Sequence, residues 1–262
     1  EPFRALVADQ LPEKQRSYGF VMQTLIIGIG TWVASNLTWF VSKMGFTDST
    51  DMQGIPNNVK VAFGIGAFVF LTSILYTIFT TKEYPPEDEE AFYQQKKKGS
   101  FLKDFFYSVS NMSSTMLKLG LVQFFSWFAF FTMWSMATPA LTATVYNAPA
   151  PTVNSANFEQ MNQAYQVAAD SVGSNMGIYG LSSMLFALAL TFYAAKYSVN
   201  RKWVHLGSLV AGGVGFILMG FIPSPDYLWL CFALIGFAWG SILSMPYAML
   251  SSTVDENKMG LM

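Results

Sequence analysis

Four side-chain amides stand inside long apolar stretches: Gln23, Asn36, Gln123 and Asn175. An amide is costly in hydrocarbon unless it is bonded or faces water, so each marks an interior face rather than a lipid-facing one. Gln123 heads a stripe. With Trp127, Phe131, Trp134 and Thr138 it follows steps of four, four, three and four, which places all five on one side of a helix. Asn175 and Tyr179 are four apart and Trp239 and Tyr247 eight apart, so each pair also shares a helix face. Amides with indole and phenol rings do binding chemistry: hydrogen bonds from the first, flat apolar faces from the second, around a wet cavity. The same faces suit helix–helix packing, and Gly236 and Gly240 beside Trp239 fit a close-packed helix. Catalysis finds no support. Hydrolysis or group transfer needs a nucleophile with a base or a metal, and the apolar stretches hold no cluster of His, Cys, Asp and Glu. One cysteine, Cys231, excludes a disulfide within the chain, and with one histidine, His205, it excludes the usual Cys/His zinc site. No enzyme, metal or cofactor is expected.

These residues ride on six stretches long enough to span a hydrocarbon core, which takes roughly 20 residues of helix. They run about Tyr18 to Ser42, Val59 to Thr81, Leu119 to Ala140, Ser174 to Ala195, Trp203 to Ile222 and Tyr227 to Leu250. Their interiors carry no charge; Lys60 and His205 sit at edges, and His205, beside Arg201 and Lys202, reads as a membrane-interface residue. Only 12% of the 262 residues are charged and 52% are hydrophobic, against about 25% charged in soluble domains. A soluble chain of this size would need more charge to clothe its surface, so lipid is the expected solvent. The net charge of −1 and the absence of a basic tract beyond Lys96, Lys97 and Lys98 give no sign of a nucleic-acid partner.

The basic residues then set the threading. Alternate segments (the N-terminal stretch, the loop after span two, the loop after span four and the C-terminal end) hold 13 of the 15 Lys and Arg. The loop from Leu141 to Gly173 has none. By the positive-inside rule both chain ends are expected on the cytoplasmic side and the Lys-free loop outside. The 83–117 segment opens with Pro85 and Pro86, an acidic run from Glu87 to Glu90, then the lysine triplet, and is expected to be a solvated linker between two bundles. The outward loop turns mildly amphipathic from Asn157 to Ala168.

The two ends echo each other. Pro2-Phe3-Arg4-Ala5-Leu6, followed by Glu13 to Arg16, matches Pro246-Tyr247-Ala248-Met249-Leu250, followed by Asp255 to Lys258. The prolines are 244 residues and six spans apart, the period expected of duplicated halves related by an axis along the membrane normal. Residues 1–9 then read as the inner end of a helix equivalent to the end of span six. The chain reads as an inner portion of a longer polypeptide, lacking the helices that would close either bundle.

Three strings carry a resemblance: PFRALVADQLPEKQR at 2–16, QFFSWFAFFTMWSMATPA at 123–140 and SILSMPYAMLSS at 241–252. They resemble the plant sucrose transporter and bacterial maltose/sucrose symporter group of the major facilitator superfamily, related to glycoside–pentoside–hexuronide symporters. The resemblance implies an all-α membrane protein with an incomplete major facilitator fold, its six helices spanning the junction of two six-helix halves. Residues 1–82 would end the N-terminal bundle (the end of helix four, helices five and six), 83–117 would link the bundles, and 118–262 would begin the C-terminal one (helices seven to ten). It further implies cation-coupled, chiefly proton-coupled, symport of a sugar such as a disaccharide, by a monomer in the bacterial inner membrane. A sodium-coupled glycoside symporter and a non-transporting sensor or scaffold of the same fold stay open.

The resemblance makes Gln23, Asn36, Gln123, Trp127, Trp134, Thr138, Asn175, Tyr179, Trp239 and Tyr247 candidate sugar contacts. Arg4 resembles the family arginine implicated in coupling, with snorkelling at the inner interface as its other reading. Asp9 and Arg16 are expected to clamp the cytoplasmic turn, and Pro139 after Thr138 to loosen a backbone bond as a gating bend. One departure matters: Trp134, Thr138 and Pro139 stand where plant members place acids, so those acids' roles do not transfer. No titratable group is expected inside the spans, which would put a coupling carboxylate elsewhere in the protein.

Overall fold

The structure is a computed structural model that describes residues 10–46, 55–82, 110, 112–152, 157–194 and 196–250, without the side chains of Glu13, Lys14, Arg16 and Ser17. The described residues are helical: α1 Glu13–Ser35, α2 Leu37–Lys43, α3 Asn57–Thr80, α4 Ser114–Thr144, α5 Phe158–Ala194, α6 Arg201–Met219 and α7 Leu228–Leu250, the last entered through a 3-10 turn at Pro225–Tyr227. Six of these elements are long and apolar enough to cross a membrane. This is an all-α membrane architecture. Arg4 and Asp9 lie outside the described residues, as does most of the 83–117 linker, of which Ser114 to Leu117 are already helical.

Three spans depart from their expected bounds. Span one breaks at Asn36, whose backbone (φ −100°, ψ 4°) separates α1 from α2. Its side-chain amide donates to the Trp32 carbonyl at 2.9 Å, the local competition by which asparagine interrupts helices. Span four begins sixteen residues early, at Phe158 rather than Ser174, because the amphipathic stretch after Asn157 continues the same helix and buries Ala168 and Val172. Part of the expected outer loop is therefore helix. Span three also starts earlier, at Ser114, where the Ser113 hydroxyl accepts from the Met116 amide as an N-cap.

Packing centres on α7. About 72% of its span is buried, against 6% of α3, whose Phe63, Phe68, Phe70 and Phe79 all point outward. Glycines set the distances between helices. A Cβ on Gly236 would stand 2.5 Å from the Tyr179 carbonyl oxygen and one on Gly215 2.7 Å from the Cys231 carbonyl oxygen, so α7 meets α5 and α6 backbone to backbone. Gly28 of α1 and Gly180 of α5 interlock likewise, each Cβ position falling 2.6–2.8 Å from the other's carbonyl oxygen. Ser182 adds a 2.6 Å bond to the Ala233 carbonyl between α5 and α7. α6 keeps one face outward, with Trp203, Leu206, Val210 and Ile217 exposed at helical spacing.

Contacts between element ends follow the alternation of basic segments. Gln10 Nε2 donates to the Lys82 carbonyl at 2.9 Å, which ties the start of α1 to the end of α3. Phe20 stacks on Tyr247 at 6.0 Å, and the Arg201 guanidinium donates to the Ala248 carbonyl. The start of α1, the end of α3, the start of α6 and the end of α7 thus gather at one end of the bundle. At the other end Asn58 Nδ2 donates to Ser42 Oγ at 2.9 Å. Burial raises the Tyr146 phenol above its ordinary value, which a hydrogen bond with Ser171 partly offsets.

Candidate functional site

Five aromatic side chains from three helices meet at the middle of the bundle. Trp239 of α7 is 7% exposed and stands at their centre. Its ring centroid lies 5.0 Å from Phe130, 5.3 Å from Trp134, 5.7 Å from Trp127 and 6.1 Å from Tyr179. The Trp127 and Trp134 contacts are edge-to-face, the geometry that ring quadrupoles favour. α4 supplies Trp127, Phe130 and Trp134, while α5 supplies Tyr179. Phe216 of α6 reaches Phe130 from behind, 5.8 Å away.

The polar atoms of this nest divide into two kinds. Trp134 Nε1 donates to the Tyr179 hydroxyl at 3.3 Å, so this pair satisfies itself. Trp239 Nε1 and Gln123 Oε1 are buried without a hydrogen-bond partner among the described residues. One is a donor only and the other an acceptor. An unpaired buried polar atom costs about 1–3 kcal/mol, and native structures keep few of them unless something else is to be bound. Among the described residues no three of His, Cys, Asp and Glu gather as a metal site would require.

The remaining candidates scatter. Gln23 lies on a separate groove of about 880 Å³ along α1, lined by Tyr18, Met22, Ile26 and Ile27 among others. Ile27, at the end of the groove, also packs against the hydrophobic core cluster to which the nest residues belong. Asn36 and Asn175 spend an amide N–H on carbonyls of their own helix turns, those of Trp32 and Ser171, both at 2.9 Å. Asn36 also abuts Gly177, so it shapes the α1–α5 seam. Tyr247 stacks on Phe20 two turns beyond Trp239. Thr138 is half-buried, and its carbonyl accepts from Thr142 Oγ1 at 2.8 Å. α4 runs on through Pro139 to Thr144, with Pro139 itself exposed. Of the coupling and gating candidates, Arg4 and Asp9 are outside the described residues, and the Arg16 side chain is not described.

The stripe on α4 sits slightly rotated from its expected centre. Phe131 is 59% exposed, and the buried line runs Phe130, Met133, Ala137 and Leu141. Phe130 is the nest residue that spacing arguments missed. Its steps of three, four and four were equally available, but α4 is apolar all round and offers no polar side to fix the phase. His205, expected at the membrane interface beside Arg201 and Lys202, is turned inward between helices: it is 6% exposed, and its Nδ1 lies 2.8 Å from Ser241 Oγ of α7.

No curated protein matches the sequence closely enough to count as a relative. The model of one family does, and it covers residues 2–262. A match of that extent, over a chain with six helices long and apolar enough to cross a membrane, leaves one conclusion: the chain belongs to the Major Facilitator Superfamily, a family of membrane transporters.

Proposed function

We propose that this chain carries the central helices of a secondary transporter for a sugar of the disaccharide class, working by alternating access. One observation carries the reading: an indole N–H is held unbonded within a wall of aromatic faces, and an amide oxygen, that of Gln123 one turn before Trp127 on α4, is buried unbonded as well. A sugar is the complement of such a wall. Its hydroxyls are both donor and acceptor, and its ring C–H surfaces lie flat on indoles. The α1 groove, bearing Gln23, lies in the size range of ligand pockets. α1 would belong to one half of the transporter and α4 to α7 to the other, with the α1–α5 glycine seam and the Phe20–Tyr247 stack as contacts between halves.

Cation-coupled symport, with a proton as the favoured ion, completes the proposal, as does residence in a bacterial inner membrane with both chain ends inward. Arg4 remains the proposed coupling arginine, with Asp9, Arg16 and Pro139 as gating residues. Single cysteines at Lys97 and Asn147, in a Cys231→Ser background, are expected to label from opposite sides of right-side-out vesicles. Labelling from the same side would overturn the threading.

The deciding experiment is uptake of labelled maltose and sucrose by the complete gene product in proteoliposomes. An inward proton gradient is expected to drive accumulation. Accumulation driven by sodium alone would replace the proton as coupling ion, and no uptake or exchange of either sugar would overturn the sugar reading.

A further inference from the structure

The aromatic nest occupies one side of α7, and the opposite side holds a polar pair that sugar binding does not use. Ser241 comes two residues after Trp239, about 200° around the helix axis. It faces α6, where His205 Nδ1 sits 2.8 Å from its hydroxyl oxygen. Ser241 is fully buried and His205 is 6% exposed. The other ring nitrogen, Nε2, is buried with no partner among the described residues. Whichever nitrogen carries the proton, Nε2 is left as a bare acceptor or an unbonded N–H.

The seam around this pair is tight. α6 turns His205, Ser208, Gly212 and Gly215 toward α7, all buried. Gly212 abuts Ala238, and Gly215 abuts the Cys231 carbonyl. His205 itself is 6% exposed, so the imidazole is enclosed while the seam stays shut.

The charged surroundings are sparse. On α6, Arg201 lies one turn away with its guanidinium on the Ala248 carbonyl, and Lys202 is exposed. α7 contains no Asp, Glu, Lys or Arg. Its ionisable groups are Cys231, beside Gly215 and so roughly 15 Å along α6, and Tyr247, stacked on Phe20. α5 and α1 reach this end of α6 through Ala187, Leu190 and Val21, near Val204. The acids of α5, Glu159 and Asp170, belong to its far end, and the described α1 side chain nearest this end that can ionise is Tyr18. Among the described residues no carboxylate faces the imidazole.

An imidazolium in this seam would therefore be a buried charge without a counter-ion among the described residues, which is expensive. Binding a proton and keeping α6 shut on α7 oppose each other. We propose that His205 is a proton-binding site whose occupancy displaces α6 against α7 and, through α7, resets the Trp239 nest, so that proton and substrate binding are coupled. The substrate half of this coupling rests on the nest being the sugar site. Coupling of this kind is reciprocal: a ligand at the nest must change proton affinity at His205 by the same factor.

The first test needs no substrate. Intrinsic tryptophan fluorescence of the complete gene product in nanodiscs is followed between about pH 5 and 8, the range in which imidazole ionises. A single-site transition is expected. It should shrink in Trp239→Phe, which removes the reporter, and vanish in His205→Gln, which keeps hydrogen bonding without titrating. A flat wild-type profile, or an unchanged transition in His205→Gln, overturns the proposal. Should His205→Gln not fold, Ser241→Ala keeps the histidine but removes its partner: a shifted midpoint supports the site and an unshifted one overturns it. In binding assays, sugar affinity should differ about fivefold or more across the range in wild type and become pH-independent in His205→Gln. A pH transition that depends on His205 without sugar binding at any pH sinks the sugar reading alone. Sugar binding with a flat pH profile sinks the proton site alone.

Discussion

Trp239→Phe is expected to raise the sugar concentration for half-maximal uptake about tenfold while leaving the maximal rate and the fold nearly intact. Phenylalanine keeps an aromatic face against Phe130, Trp134 and Trp127, all within 5.7 Å of the tryptophan ring. It deletes the indole N–H, which has no partner among the described residues. If that N–H awaits a sugar hydroxyl, its loss removes one hydrogen bond from the complex and none from the empty protein. One such bond is worth about 1–1.5 kcal/mol, hence the tenfold figure. Gln123→Leu should act in the same direction on the acceptor side. Unchanged half-saturation in both variants would mean that the nest is a packing core whose polar atoms meet no substrate. Trp239→Ala is less informative: the cavity it leaves costs about 3–5 kcal/mol of stability and mixes folding with binding.

Gly236→Val should be the most damaging change to the fold. The new Cβ would stand 2.5 Å from the Tyr179 carbonyl oxygen and 2.6 Å from Ser182 Cβ. Neither can yield cheaply, since one is backbone and the other is held by the Ser182–Ala233 bond between the two helices. Overpacking of this kind costs about 3 kcal/mol or more, enough to lower Tm by roughly 6–12 °C in a chain of this size. Thermal unfolding in detergent measures it. Gly213→Ala is the matched control, because a Cβ there meets nothing within 4 Å. It is expected to leave Tm unchanged or raise it slightly, by removing backbone freedom from a helix interior. Equal Tm values for the two variants would contradict the close approach of α5 and α7.

How far the sequence anticipated this arrangement varies element by element. α3 was the plainest: an unbroken apolar stretch with no interior amide or charge reads as a span, and it is a helix long and apolar enough to cross a membrane. The start of α5 was hidden, since hydropathy detects what sits in lipid and not where a helix begins. Residues 158–170 include Glu159 and Asp170, too polar for a span yet helical. Trp134, Tyr179 and Trp239 were each singled out from their own helices. That all three converge is a tertiary fact, helped by Gly236, which lets α7 close on α5 at Tyr179, an approach only coordinates reveal. Asn36 and Asn175 were read as cavity markers because amides in lipid need partners. Each found one in a carbonyl one turn back, an outlet open to any helical asparagine. For His205 the neighbours spoke only of depth: Arg201 and Lys202 are basic and suggest the headgroup layer, and that the helix turns His205 inward by the next turn was not legible from them.

The length of α5 has a practical meaning. Its 37 residues extend about 55 Å, whereas a bilayer's oily layer is about 30 Å deep. About 25 Å of an upright helix exceeds that depth, and Glu159 and Asp170 put the excess at its N-terminal end, a mast continuous with the helix that touches Trp239 through Tyr179. A soluble helical fusion spliced in register at the top of that mast would move as one body with the nest. It would give a small, nearly featureless membrane particle a fixed landmark for electron-microscopic alignment.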